Sequence, residues 1–348
     1  MEQSKTARAG AGFSLIELMI AMAITAIVLA ALIEVFSAQQ QMYNQQSSLA
    51  RAQANSRAAL SIVSREVRMA GYTGLPEGMA RLNDAMTGSG PGSIYPVMSL
   101  KNGSATISGS PTGLAATSQA LGLALNSISN TPDAFEIYGN FAREATGLSV
   151  TINAGETLTT ITVPAAGLTL FGDTGFMRPA FVVVGNNTRA EIFPFVSASA
   201  SGANVDLTVT GTANMEFRAN NVPGGESNVV LPLFRRVYYV DTTNVTNAQG
   251  EVVPTLFVAN YQADGTLAGE PVELAQGVED LQVSYDLRNN LNQTLTQDMI
   301  TDPCAVMSVR ILMRNTGWQT EDADFPRELV SVVRIRNAGL GITTCPVL

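Results

Sequence analysis

The chain has 348 residues, enough for one large domain or two ordinary ones with a sizeable core. Only 14% of the residues are charged and the net charge is -9, which argues against a nucleic-acid binder that relies on a basic surface. Histidine is absent, so the commonest general base and the commonest metal ligand are missing. We therefore expect no enzymatic activity, no metal site and no bound cofactor.

The N-terminus has the pattern of a membrane anchor. Residues 1–12 form a short, polar and basic leader, and residues 13–36 are almost entirely apolar. A helix from Phe13 to Glu34 would extend about 32 Å, close to the ~30 Å hydrocarbon core of a bilayer. The positive-inside rule then predicts a single-pass inner-membrane protein with a cytoplasmic N-terminus and a periplasmic head.

The junction between leader and apolar run carries the most specific pattern in the chain. Gly12 stands directly before FSLIELMIA, and Glu17 places a carboxylate in a segment expected to lie in hydrocarbon. This arrangement resembles the class III signal of type IV prepilins. The resemblance implies that a prepilin peptidase cuts between Gly12 and Phe13 and methylates the new amino group. It also implies that Glu17 pairs with the N-terminal ammonium of a neighbouring subunit; the alternative is a side chain that snorkels to the headgroups.

Residues 37–70 change from all-round apolar to amphipathic without an intervening proline. Small and apolar residues recur at steps of three and four, the period of a helix that packs one face on a domain. This stripe consists of Leu49, Ala52, Ser56, Ala59, Val63, Val67 and Ala70. The pattern predicts one helix over residues 13–70, with Gly71 at its C-terminal cap.

Two further regions follow the helix. Residues 71–132 are rich in Gly, Pro and Ser and are expected to be mainly loops, whereas residues 133–348 predict a β-rich periplasmic head domain. Its predicted strands include LSVTINAG at 148–155, and ADGT at 263–266 predicts a hairpin turn. Apolar and polar residues alternate in the last strands, which indicates an antiparallel sheet with one wet face. The predicted fold class is α+β, with the long helix covering the dry face.

The two cysteines, Cys304 and Cys345, flank the last two predicted strands. Without histidine, a zinc site would lack ligands. Because the N-terminal signal indicates export to an oxidising compartment, we expect the two to form a disulfide. By the chain-entropy relation such a bond would stabilise the C-terminal region by roughly 4 kcal/mol.

Four segments after the apolar run indicate which class of pilin-like protein the chain resembles. They are SREVRMAGYTG at 64–74, GVEDLQVSYD at 277–286, MSVRILMRN at 307–315 and ELVSVVRIRNAGL at 328–340. In this order they resemble the PilW-type minor pilins of type IV pilus assembly. The resemblance implies a pilin-like fold and a low-abundance structural subunit at the cell surface. Its implied partners are other minor pilins, the major pilin and the prepilin peptidase.

Two alternatives remain. A minor pseudopilin of a type II secretion system would share the leader, the position of Glu17 and the helix-plus-sheet plan. A membrane-anchored periplasmic enzyme or binding protein would use the apolar run only as an anchor, but the chain has no G-x-S-x-G nucleophile motif and no histidine for a triad. The last strands carry Arg310, Arg314, Arg334 and Arg336. We interpret their face as solvated or subunit-facing rather than as a nucleic-acid site.

Overall fold

A computed structural model defines the fold over most of the chain. It describes residues 14–71, 97–100, 134–142, 144–172, 178–186, 190–220, 227–241, 253–288, 294–297, 306–315 and 327–335. Five residues with predicted roles lie outside these ranges, namely Gly12, Phe13, Cys304, Arg336 and Cys345.

The N-terminal helix α1 is continuous from Leu15 to Arg68 and contains 54 residues. The described residues divide into two compact units, one holding the helix up to Arg51 and the other, the head, beginning at Ala52. The helix predicted over residues 13–70 is confirmed, because α1 begins two residues after the predicted start and ends two residues before the predicted end.

The end of α1 is fixed by the sheet beside it. Gly71 adopts a positive φ of 73°, as expected of a glycine that ends a helix. Its N–H, however, donates to the carbonyl of Tyr138 at 2.7 Å rather than to a carbonyl of α1. A side chain at Gly139 would come within 2.9 Å of the Met69 carbonyl, so the helix end and this strand approach closely.

Within the described residues the head contains fourteen strands, all paired antiparallel. They are β1 Val97–Leu100, β2 Ala134–Gly139, β3 Thr146–Gly147, β4 Thr157–Pro164, β5 Phe181–Gly185, β6 Ala190–Ser201, β7 Asn204–Thr212, β8 Val229–Asp241, β9 Thr255–Tyr261, β10 Val272–Gln276, β11 Val278–Arg288, β12 Thr294–Gln297, β13 Val306–Asn315 and β14 Arg327–Arg334.

These strands form two sheets. Ten of the described strands make a large sheet whose main path runs β1-β2-β8-β5-β6-β7-β4, with β3 and β9 also on β8 and β10 on β9. The other four make a small sheet in the order β12-β11-β13-β14. The predicted α+β class, a long helix with an antiparallel β head, is confirmed. The division of the strands into two sheets was not predicted.

The main core of the head joins the second half of α1 to both sheets. The predicted stripe is buried at Ser56, Ala59, Val63, Val67 and Ala70. Apolar side chains from both sheets complete this cluster, among them Phe135, Ile137, Tyr238, Leu256, Val258, Leu281, Val283, Tyr285, Val309, Ile311 and Met313. Burying one face of the helix between apolar surfaces is what stabilises its docking.

A second core lies within β4–β7 and the segments around them. Its side chains include Leu158, Ile161, Val163, Phe171, Val182, Phe193, Phe195, Leu207, Val209 and Phe217. Residues 148–155 were predicted as a strand, but only Ile152 forms a bridge, to Phe217, and the strand prediction is wrong. The hairpin at 263–266 is confirmed as a turn in which Thr266 donates from its N–H to Asp264 Oδ1 at 2.8 Å.

Candidate functional site

The first candidate site is the apolar surface of α1. One stretch of the described residues, Leu15–Asn44, is long and apolar enough to cross a membrane. No residue in the most apolar part of this stretch is buried in the protein. Every large apolar side chain in its first 22 residues is more than half exposed, namely Leu15, Ile16, Leu18, Met19, Ile20, Met22, Ile24, Ile27, Val28, Leu29, Leu32, Ile33, Val35 and Phe36. A surface of this kind requires lipid or other protein around it.

Two hydroxyl side chains inside this apolar segment form hydrogen bonds within the helix. The hydroxyl of Thr25 donates to the Ala21 carbonyl at 2.7 Å, and the hydroxyl of Ser37 donates to the Glu34 carbonyl at 2.8 Å. An unpaired hydroxyl would be costly in hydrocarbon, so these local bonds make both residues compatible with an apolar environment.

Glu17 lies in the first turn of α1, where it caps the helix. The backbone N–H of Ser14 donates to Glu17 Oε2 at 3.0 Å, and the Ser14 carbonyl accepts the first helical bond from the Leu18 N–H at 3.2 Å. This half of a capping box satisfies a backbone donor that helix geometry leaves unpaired. The carboxylate also lies at the helix end where backbone dipoles favour negative charge.

This capping role was not predicted from the sequence. The signal for it was present, because Ser-Leu-Ile-Glu at residues 14–17 has the S-x-x-E spacing that precedes an apolar helical run. Glu17 therefore has a partner within its own chain. Any pairing with the ammonium of another subunit must involve its remaining acceptor capacity or replace the bond to Ser14.

The second candidate site is the junction that holds the end of α1 on the large sheet. Glu66, in the last turns of α1, accepts hydrogen bonds from Arg236 and from the hydroxyl of Tyr238. Arg236 also donates from Nε to Asn260 Oδ1 at 3.1 Å, and its guanidinium lies 4.5 Å from the ring centroid of Phe141. Burial and then the charge of Glu66 raise the pKa of Tyr238 well above its usual value.

A second buried pair occupies the other face of the same strand. Arg235 binds Glu136 and donates from Nη1 to the Gln262 carbonyl at 3.3 Å. Tyr138 and Tyr261 lie with their rings 5.9 and 5.8 Å from this guanidinium. Neither buried pair, Glu66 with Arg236 or Glu136 with Arg235, was predicted from the sequence, because buried charges carry no periodic signal of their own.

The structure places three of the four arginines noted in the last strands. Arg310 and Arg334 are exposed, whereas Arg314 bonds Glu328 at 3.1 Å and lies 3.8 Å from Asp280. Among the described residues, no group of three His, Cys, Asp or Glu side chains is placed to hold a metal ion.

Comparison with known proteins identifies one region. Residues 8–33 match the family described as the prokaryotic N-terminal methylation motif. No curated protein and no solved structure matches the chain. The motif supports a type IV pilin-like or pseudopilin-like protein that is anchored in a membrane, processed by a prepilin peptidase and part of a pilus-assembly context.

Proposed function

We propose that the chain is a minor pilin, a structural subunit of the PilW type that primes type IV pilus assembly. The observation that supports this most directly is the N-terminal methylation motif at residues 8–33, which overlaps the apolar part of α1 that the protein does not bury. A head made of a docked helix and antiparallel sheets fits such a subunit. Proteins with this motif are typically structural, and we propose no enzymatic activity.

The processing site follows from the same motif. A prepilin peptidase cuts between Gly12 and Phe13 and methylates the new amino group of Phe13. Glycine suits the cut because the missing Cβ lets the backbone lie extended in a protease. After the cut, the ammonium of Phe13 lies one residue before Ser14, whose N–H Glu17 already binds. Glu17 then serves both as helix cap and as counter-charge for an N-terminal ammonium of a neighbouring subunit.

The mature subunit remains in the inner membrane through residues 13–36, with its head in the periplasm. On assembly it leaves the membrane and joins other minor pilins and the major pilin in the filament. The apolar side chains of α1 then exchange lipid for the apolar helices of neighbours, which costs little because both surroundings are apolar.

Mass analysis of the native N-terminal peptide tests the proposal. We expect the mature chain to begin at N-methylated Phe13 and to appear in sheared pili as a minor band. A start near residue 39 would indicate an ordinary signal peptidase and would overturn the assignment. Correct processing, with the chain absent from pili but required for protein secretion, would instead identify a minor pseudopilin of a type II secretion system.

A further inference from the structure

On the face of the small sheet that points away from the core, the strand register shows which side chains of β11, β13 and β14 lie opposite one another. The four rows across β11, β13 and β14 are Asp280–Arg314–Glu328, Gln282–Leu312–Val330, Ser284–Arg310–Val332 and Asp286–Ser308–Arg334. Side chains opposite each other on neighbouring strands lie about 5 Å apart, so each row is a set of direct neighbours. We call these twelve residues the outer face.

On the side of the outer face towards β11, the charged and polar side chains bind one another. Arg314 lies between Asp280 and Glu328 at 3.8 and 3.1 Å, and Ser308 donates its hydroxyl to Asp286. Gln282 donates to Asp280 at 2.8 Å. These contacts leave the β11 side of the face without a strong demand for a partner.

The other side, formed by β14 and the neighbouring residues Arg310 and Leu312 of β13, is apolar and cationic. Val330 and Val332 on β14 are 54% and 55% exposed, and the half-buried Leu312 lies beside Val330. Arg310 and Arg334 are exposed, and neither has an ion-pair partner among the described residues. Two adjacent exposed valines, flanked by two arginines without an ion-pair partner in the part of the chain that the structure describes, form a small apolar centre with a cationic rim. This composition fits a contact with another protein.

We propose that this side of the outer face docks a neighbouring pilin-like subunit through a segment that presents apolar side chains flanked by carboxylates. The proposal rests on the proposed function, because it names the contact by which the head joins another subunit. The valines would lose their exposed area to the partner's apolar residues, and Arg310 and Arg334 would each bind a carboxylate, a pairing that suits the planar guanidinium.

A nucleic acid fits this surface less well. The twelve residues include no aromatic side chain on which a base could stack, and the chain carries a net charge of -9 that repels a polyanion at long range. Exposed valines gain more from an apolar protein surface than from a phosphate backbone. An acidic protein partner therefore satisfies both the apolar centre and the cationic rim.

Site-specific photocrosslinking of the full-length chain in the cells that produce it tests the proposal. Val332→p-benzoylphenylalanine should yield, on irradiation, an adduct to another protein that carries the N-terminal methylation motif, at a peptide containing Asp or Glu. The same probe at Val150, which is 53% exposed but lies outside the outer face, is the matched control and should not give that adduct.

Charge reversal identifies the chemistry of the contact. Arg310→Glu with Arg334→Glu should reduce the adduct more than about tenfold, because like charges placed across an interface are strongly unfavourable. Arg310→Lys with Arg334→Lys should retain most of it, and reversing the carboxylates at the crosslinked peptide should restore it in the Glu variant. An adduct to nucleic acid or to a second copy of this chain, an unchanged adduct in the Glu variant, or no adduct at Val332 would each overturn the proposal. Failure of cleavage before Phe13 would refute the proposed function instead, and the docking surface would still be judged by the Val332 adduct.

Discussion

Arg235 and Arg236 are adjacent in β8, yet their side chains lie on opposite faces of the large sheet and each binds a buried glutamate. Arg235 pairs with Glu136 of β2, and Arg236 pairs with Glu66 of α1. Alternation along a strand forces neighbouring side chains to opposite faces, so one dipeptide supplies a cation to each. The Arg236 pair crosses from the sheet to α1 and adds a polar contact to the apolar packing of the helix on the head.

Breaking the Glu66–Arg236 pair should destabilise the head strongly. Glu66→Ala removes the carboxylate that pairs with the buried guanidinium of Arg236 and accepts the hydrogen bond of the Tyr238 hydroxyl. We expect a loss of about 3–5 kcal/mol in the free energy of unfolding. The double variant Glu66→Leu with Arg236→Met should lose less than Glu66→Ala, because neither charge is then buried alone. Chemical unfolding of the detergent-solubilised chain, followed by circular dichroism, measures both.

A matched control is the exposed pair of Arg218 and Glu216, in which Arg218 Nε lies 3.0 Å from Glu216 Oε1. Arg218→Met should change the stability by no more than about 1 kcal/mol, as is usual for exposed pairs. If Glu66→Ala were as mild as Arg218→Met, the buried pair would not hold the helix in place.

The sequence predicted the elements that depend on a simple period. The stripe from Ser56 to Ala70 and the alternation of Leu281, Val283 and Tyr285 are buried as expected, because helix and strand periods decide which residues face a core. The division into two sheets was not predicted. It depends on which strands pair across long sequence separations, such as β2 with β8, and no local pattern encodes that choice.

Apolar–polar alternation carries no signal where a strand is buried on both faces. All residues of β2 and β5 are buried, so neither strand has a wet face, whereas β11 and β13 do. Of the candidate site, the apolar run and the capping spacing at residues 14–17 could be read from the sequence. The partners of Glu66 could not, since they come from residues more than 160 positions away along the chain.

Four buried tyrosines should make the head sensitive to alkali. Burial, followed by the charge of Asp241, raises the pKa of Tyr239 to about 12, and burial is also the largest cause that raises the pKa values of Tyr138, Tyr238 and Tyr261. An unfolded tyrosine ionises near pH 10, so above that pH the folded head retains protons that the unfolded chain releases. The contribution of Tyr239 to stability is complete below about pH 10 and is lost as the pH rises through about 12.

Absorbance at the tyrosinate band follows this titration. Of the eight tyrosines, at least these four should remain protonated in the folded protein at pH 10.5, and all eight should ionise near pH 10 in denaturant. Tyr239→Phe should remove one group that ionises near pH 12. Complete ionisation of the native protein by pH 10.5, without unfolding, would contradict the burial of these side chains.

Cys304 and Cys345 should form a disulfide in the exported protein. They flank β13 and β14, and linking the ends of this terminal strand pair would limit its fraying. Thiol labelling of the unfolded, non-reduced chain should modify neither cysteine, whereas labelling after reduction should modify both. Stoichiometric labelling before reduction would show that the disulfide is absent.

The last prediction separates the two roles of Glu17. Glu17→Gln keeps an oxygen that can accept the Ser14 N–H, since glutamine also serves in a capping box, but it removes the charge. Glu17→Ala removes both. Membrane insertion should survive in either variant, because a carboxylate leaves an apolar region. Assembly should suffer in both, since an ammonium buried without its counter-charge typically costs about 3–5 kcal/mol.

The measurement is the amount of the protein in sheared pili relative to the membrane fraction. We expect incorporation to fall to a similar, low level in Glu17→Gln and Glu17→Ala, with contacts of the head preventing complete loss. If Glu17→Gln were incorporated like the unchanged chain while Glu17→Ala was not, the helix cap would be the role that matters and the ammonium pairing would be wrong. If both were incorporated normally at equal membrane levels, Glu17 would contribute to neither, and a carboxylate that only reaches the headgroups would explain its place in the apolar run.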